Sequence, residues 1–202
     1  MTTARDLMIV ALDTPSTPPV AQGELSLALA GAELIDLMDA EAVTLDEHLV
    51  VPRLPPAGGE GPLREAASSL VRQAPYESVE DWLWRRGRDL AAAHLAALES
   101  EGLVTRPHAR RISFRADPPV PTDSSARSRA AGRWASREPV LAGLAAAAGI
   151  GEQPTDDLVA EIADEQVVTV LAAVNDAVME LEAVRQRRGL ESAAFDNVWR
   201  AV

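Results

Sequence analysis

Residues 25–51 read LSLALAGAELIDLMDAEAVTLDEHLVV. The first half places Leu27, Gly31, Leu34 and Met38 on one helical stripe, with Leu25, Ala28, Ala32 and Ile35 beside it. That spacing predicts a helix over 23–39. The period then changes. Val43-Thr44-Leu45 and Leu49-Val50-Val51 are β-prone runs around the polar tip Asp46-Glu47-His48, and Pro52 ends them. The stretch therefore predicts a helix that runs straight into a hairpin. A hairpin this small is not stable alone, so the helix is what it packs on.

The same order recurs downstream. Ser78 is a good N-cap, and Asp81 three residues later can close a capping box, which puts Trp82 on the buried side. A helix rich in Ala and Leu is predicted from Arg86 to Ser100, with Gly102 as its stop. Leu103-Val104-Thr105 and Arg111-Ile112-Ser113-Phe114 then bracket Arg106–Arg110 as a second hairpin. Further helices are predicted over 62–73, 125–136, 139–148 and 190–201. The most apolar one covers 156–187, with a break near Asp164, and its valines suggest a central helix surrounded by the others. The Pro/Gly-rich stretches 52–62 and 116–125 read as loops, the first a mobile connector.

Composition agrees with a helical body. Apolar residues are 47% of the 202-residue chain but aromatics only 3%, so the core is built from Ala, Leu, Val and Ile. These suit close helix packing. The expected fold is mainly α: a helical bundle surrounded by shorter amphipathic helices, with two short β-hairpins, in a single domain over 1–202.

The formal charge is −12, and all 19 basic residues are Arg. Without Lys there is no Schiff-base chemistry and no phosphate-loop lysine. Without Cys there is no disulfide, thiolate zinc site or thiol nucleophile. The apolar run Leu7–Leu12 is too short for a signal-peptide core or a membrane span. The expectation is a cytoplasmic protein, with any membrane contact peripheral. His48, His94 and His108 are isolated from one another, and no metal ligand set is expected. Glu161, Asp164 and Glu165 read as surface carboxylates. No hydrolase, zincin or dinucleotide motif is present, so neither an enzyme nor a cofactor is expected. Arg106–Arg137 carries eight Arg against two acidic residues, a local basic zone on an acidic chain.

Three stretches in order carry a family resemblance: LALAGAELIDLMDAEAVTL, PYESVEDWLW and HLAALESEGLVT. The first is similar to the helix of the Golgi phosphoprotein 3 family, with its small-residue core before a first strand. The second resembles that family's capped, Trp-bearing helix start, and the third its helix ending before a hairpin. The high Ala and Arg content and the missing Lys look like a bacterial member. The resemblance implies a non-enzymatic peripheral membrane adaptor that binds phosphatidylinositol 4-phosphate and engages a protein partner.

The resemblance also implies a headgroup pocket made by a Trp and an Arg around the first helix and two Arg three apart on the later one. Here those positions hold Ala21, Ala30, Arg88 and Ala91. Arg88 is thus the expected headgroup ligand, with Arg85 and Arg86 close enough to substitute, and the pocket wall is expected to be lined with Ala. Arg110, Arg111 and Arg115 are the expected contacts with an anionic surface, at about 1 kcal/mol each. One guanidinium–phosphate contact contributes about 1.5–3 kcal/mol, weaker than millimolar binding by itself. Two other readings stand beside the adaptor: a soluble scaffold that has lost lipid binding, and a winged-helix-like nucleic-acid regulator. The overall charge and the absence of a basic recognition helix count against nucleic acid.

Overall fold

The structure is a computed structural model. It describes residues 2–15, 20–53, 61–105, 120–121 and 124–200, with side chains in the same ranges except at 105, 120–121 and 189–200. Among the described residues the elements are α1 (Thr3–Asp13), α2 (Gln22–Asp39), β1 (Val43–Asp46), β2 (Leu49–Pro52), α3 (Gly61–Ser68), α4 (Val79–Arg86), α5 (Leu90–Ser100), β3 (Val104–Thr105), β4 (Val120–Pro121), α6 (Ser125–Ala135), α7 (Pro139–Ala147), α8 (Asp156–Ala160) and α9 (Glu165–Arg200).

The central helix is α2, not the expected 156–187 segment. Every residue from Leu25 to Leu37 is buried, and α1, α3, α4, α5, α7, α9 and β1 all pack on it. Small side chains make this possible. A Cβ at Gly31 would overlap Val174 of α9, so glycine sets how closely those two helices approach. By contrast α9 is amphipathic: Val167, Val170, Leu171, Val174 and Ala177 are buried, while Val168 and Met179 face outward. A run of valines marks a buried stripe but does not by itself distinguish one buried face from burial all round.

The break expected near Asp164 is present between α8 and α9. Asp164 Oδ1 accepts the amide N–H of Gln166 at 2.8 Å, which satisfies a free donor at the start of α9. The separate helix expected at 190–201 is instead a continuation of α9 to Arg200. An interior glycine such as Gly189 weakens a helix by about 1 kcal/mol and does not have to end it. The expected helices 62–73 and 86–100 are also shorter, ending at Ser68 and starting at Leu90.

The first hairpin forms as read, with Val43 opposite Pro52 and Asp46 opposite Leu49. Val50 N–H donates to Glu77 O and Val79 N–H to His48 O, each at 2.9 Å, so the outer strand docks on the entry to α4. Gln166 Oε1 accepts Leu45 N–H at 2.8 Å and ties the hairpin to α9. A second pairing sits further along the chain than the expected hairpin. Val104 pairs with Pro121 and Thr105 with Val120, inside the stretch read as a loop. Two residues per strand leave no periodic signal, and Pro is tolerated at an edge. Arg111–Phe114, the expected partner, lies outside the described residues, as does most of the 52–62 connector.

An unexpected element is α1. Ala4, Leu7, Met8, Ile9 and Val10 are buried, and Asp36 of α2 holds its first turn, accepting Thr3 N–H at 2.6 Å and Ala4 N–H at 3.0 Å. Burial raises the Asp36 carboxyl from 3.8 to about 6, against the lowering effect of those two amides. The native state therefore holds the proton more tightly than the unfolded chain. This contribution is complete below about pH 4 and is lost as pH rises through about 6. Asp36→Asn cannot titrate and replaces one acceptor oxygen by a donor. The stability lead of the natural chain over that variant is expected to shrink by about 2–3 kcal/mol between about pH 4 and pH 7 in urea melts.

Candidate functional site

The corner between α4 and α5 decides what the arginines of this chain can do. Ser78 caps α4: its Oγ accepts Asp81 N–H at 3.0 Å, and its hydroxyl donates to the Asp81 carboxylate at 2.8 Å. With the start fixed, Trp82 points inward and is fully buried, its Nε1–H donating to Ala30 O at 2.9 Å. Gly87 caps the end of the helix, its N–H donating to Leu83 O, and a Cβ there would lie 2.6 Å from that oxygen and 3.3 Å from Leu27 Cδ2, so the close packing needs glycine. Asp89, with φ of 55°, then turns the chain into α5.

This geometry separates the three neighbouring arginines. Arg85 forms a two-pronged pair with Glu77, at 3.0 and 2.6 Å, and stacks over the Trp82 ring at 5.3 Å. Arg86 turns inward. Its Nε and Nη2 donate to Glu33 at 2.7 and 3.1 Å, and its Nη1 to Glu65 at 2.9 Å. Burial lowers its pKa, but hydrogen bonding to Glu33 and the charges of Glu33 and Glu65 outweigh that and hold it above the ordinary value. Arg88 is exposed and, among the described residues, makes no hydrogen bond or ion pair.

Arg88 lines a pocket of about 250 Å³ with Gln22, Gly23, Ser26, Leu27, Trp84, Gly87, Asp89 and Leu181. The pocket sits at the start of α2, where Ala21 provides no side-chain cap, so the first-turn amides of an 18-residue helix lack one. Arg185 of α9 borders it and is paired with Glu24. The wall is not the expected alanine surface. Ala30 is 0% exposed and Ala91 4%, so neither reaches the pocket. Trp84 and Gln22 stand there instead.

The Golgi phosphoprotein 3 family model matches residues 4–186. This chain belongs to that family. No curated protein sequence matches it at a significant level. Golgi phosphoprotein 3 proteins are non-enzymatic adaptors known to bind lipid.

Sequence reasoning missed two features of this Golgi phosphoprotein 3 domain. Trp84 is one; it lies two residues from Trp82, or about 200° around the helix, and that offset was the available signal that the two indoles face differently. The other is the buried network on the far side of α4. Glu33 is 1% exposed and His94 4%, and His94 Nε2 lies 2.9 Å from Glu33 Oε1. Nothing in the sequence pairs residues 61 positions apart. His48 gives its carbonyl to Val79, and His108 lies outside the described residues. Glu161, Asp164 and Glu165 are exposed, and no cluster of three or more metal-ligating side chains occurs among the described residues. Among those residues, no helix is long and apolar enough to cross a membrane.

In the basic zone, two of the described arginines turn to acidic neighbours. Arg127 pairs with Asp13 at 2.7 Å. Arg133 bridges buried Asp6 at 2.8 Å and Glu138 at 2.7 Å, tying α6 to α1 and α7. Arg110, Arg111 and Arg115 lie outside the described residues.

Proposed function

We propose that this chain acts as one domain, a non-enzymatic peripheral membrane adaptor that holds an anionic phosphate headgroup in the Arg88 pocket. One observation carries the reading. Of the three arginines around the α4 terminus, Arg85 and Arg86 are neutralised by Glu77, Glu33 and Glu65, while Arg88 stands exposed and unpaired among the described residues beside an uncapped helix start. A guanidinium fork and free amide donors are what a phosphate oxygen needs. The headgroup role falls to Arg88, and Arg85 and Arg86 serve as the structural support beneath it.

Vesicle flotation tests this. The chain is expected to float with vesicles containing anionic phospholipid and to stay behind with neutral phosphatidylcholine. Arg88→Ala removes a charge-assisted contact of about 1.5–3 kcal/mol, so retention should weaken roughly 10- to 100-fold with the melting curve unchanged. Equal flotation of Arg88→Ala would remove the pocket from the mechanism. The soluble-scaffold reading draws on the same pairing of Arg85 and Arg86, which leaves a single available cation here. It predicts no flotation on any vesicle, together with a reproducible protein partner.

A further inference from the structure

We infer that the Arg88 pocket accepts a singly charged phosphodiester headgroup and discriminates against headgroups bearing a phosphomonoester. This rests on the lipid-binding reading above and concerns only what the site admits.

The argument is one of charge. Among the described residues the pocket lining contains one cation, Arg88, and one carboxylate, Asp89, on consecutive residues. At its border Arg185 is paired with Glu24, so that pair adds no net charge. The formal sum is zero. What remains positive is the first turn of α2, equivalent to roughly half a charge. A phosphodiester carries one negative charge and two non-bridging oxygens, which a single guanidinium satisfies as a fork. A phosphomonoester carries about −1.5 to −2 at neutral pH. On an inositol lipid this adds to the diester already present. The excess charge would meet Asp89, with no second unpaired cation among the described lining residues to take it.

The other two arginines at the α4 terminus are not free to join Arg88, and Arg185 at the rim is held by Glu24, whose side chain is 15% exposed. Arg85 is held by Glu77, and Arg86 points to the other side of α4, onto buried Glu33. Ala30 and Ala91 are sealed in the core. Trp84, half-buried, supplies an apolar wall suited to the carbons of a small alcohol such as glycerol. Asp89 is therefore the specificity-determining residue. It occupies a left-handed backbone conformation with φ of 55°, which Asn also tolerates, so Asp89→Asn keeps the turn and removes only the charge.

The experiment floats the full chain on phosphatidylcholine vesicles doped with phosphatidylglycerol or with phosphatidylinositol 4-phosphate, matched in surface charge. Phosphatidylglycerol should retain the chain at least as well, and Arg88→Ala should lower both. Asp89→Asn should raise retention on phosphatidylinositol 4-phosphate several-fold more than on phosphatidylglycerol. An Arg88-dependent preference for phosphatidylinositol 4-phosphate of tenfold or more would overturn this inference and leave the membrane reading intact. So would an unchanged lipid ratio in Asp89→Asn. Binding indifferent to Arg88 would overturn both. Excess soluble glycerophosphoglycerol should compete for the Arg88-dependent fraction. If it binds while vesicles do not, the phosphodiester class stands, its source is a soluble molecule, and the membrane reading fails. No competition would overturn the pocket as the reader.

Discussion

Arg86→Ala is expected to destabilise the protein by about 3–5 kcal/mol, a large share of the roughly 5–15 kcal/mol that holds an ordinary domain folded. The Arg86 side chain is 12% exposed and that of Glu33 2%, so the pair sits largely out of water. Removing the guanidinium leaves the Glu33 carboxylate with His94 as its remaining partner, on the buried stretch of α2. The loss comes chiefly from that orphaned charge, so a second change should relieve it. Glu33→Gln in the Arg86→Ala background should recover at least half of the lost stability. Urea denaturation of the four members of this cycle measures the coupling. A single variant within about 1 kcal/mol of the natural chain would show that the network does not carry the α2–α4 contact.

Trp82→Ala should cost about 3–5 kcal/mol by a different route, the cavity left by the largest fully buried side chain among the described residues. Its ring fills the space between α4 and α2, and its Nε1–H reaches the Ala30 carbonyl at 2.9 Å. Trp82→Phe keeps most of the apolar area but loses that donor, so a smaller cost of about 1–2 kcal/mol is expected. Guanidinium melts would order the series natural chain, Phe, Ala. A Phe variant as damaged as Ala would assign the effect to the hydrogen bond. Neither change touches Arg88, so any variant that stays folded should float on anionic vesicles like the natural chain.

The helical elements were legible where local chemistry marks them. Ser78 and Asp81 announced the start of α4, Gly102 the end of α5, and the change of period after Asp39 the first hairpin. The extent of burial was not legible, because a helix of Ala, Gly and Leu and one rich in Val look equally apolar in one dimension. The burial of every residue from Leu25 to Leu37 and the packing of seven elements on them show that α2 is the helix the others surround. The candidate site divides in the same way. Arg88 could be picked out by position. That Arg85 and Arg86 are paired with acidic side chains could not, since Glu33 lies 53 residues before Arg86.

What the amino-acid order alone determined is the inventory: a small-residue helical body, no thiol and no lysine, arginine as the sole strong cation, and the family. The tertiary structure decided which of the three arginines around the α4 terminus stays unpaired among the described residues. Availability depends on whether a carboxylate from another helix reaches the guanidinium, and packing, not sequence proximity, sets that distance. Folding brought Glu33 and Glu65 to Arg86, brought Glu77 to Arg85, and set Arg88 with Trp84 and Asp89 around a pocket at the head of α2.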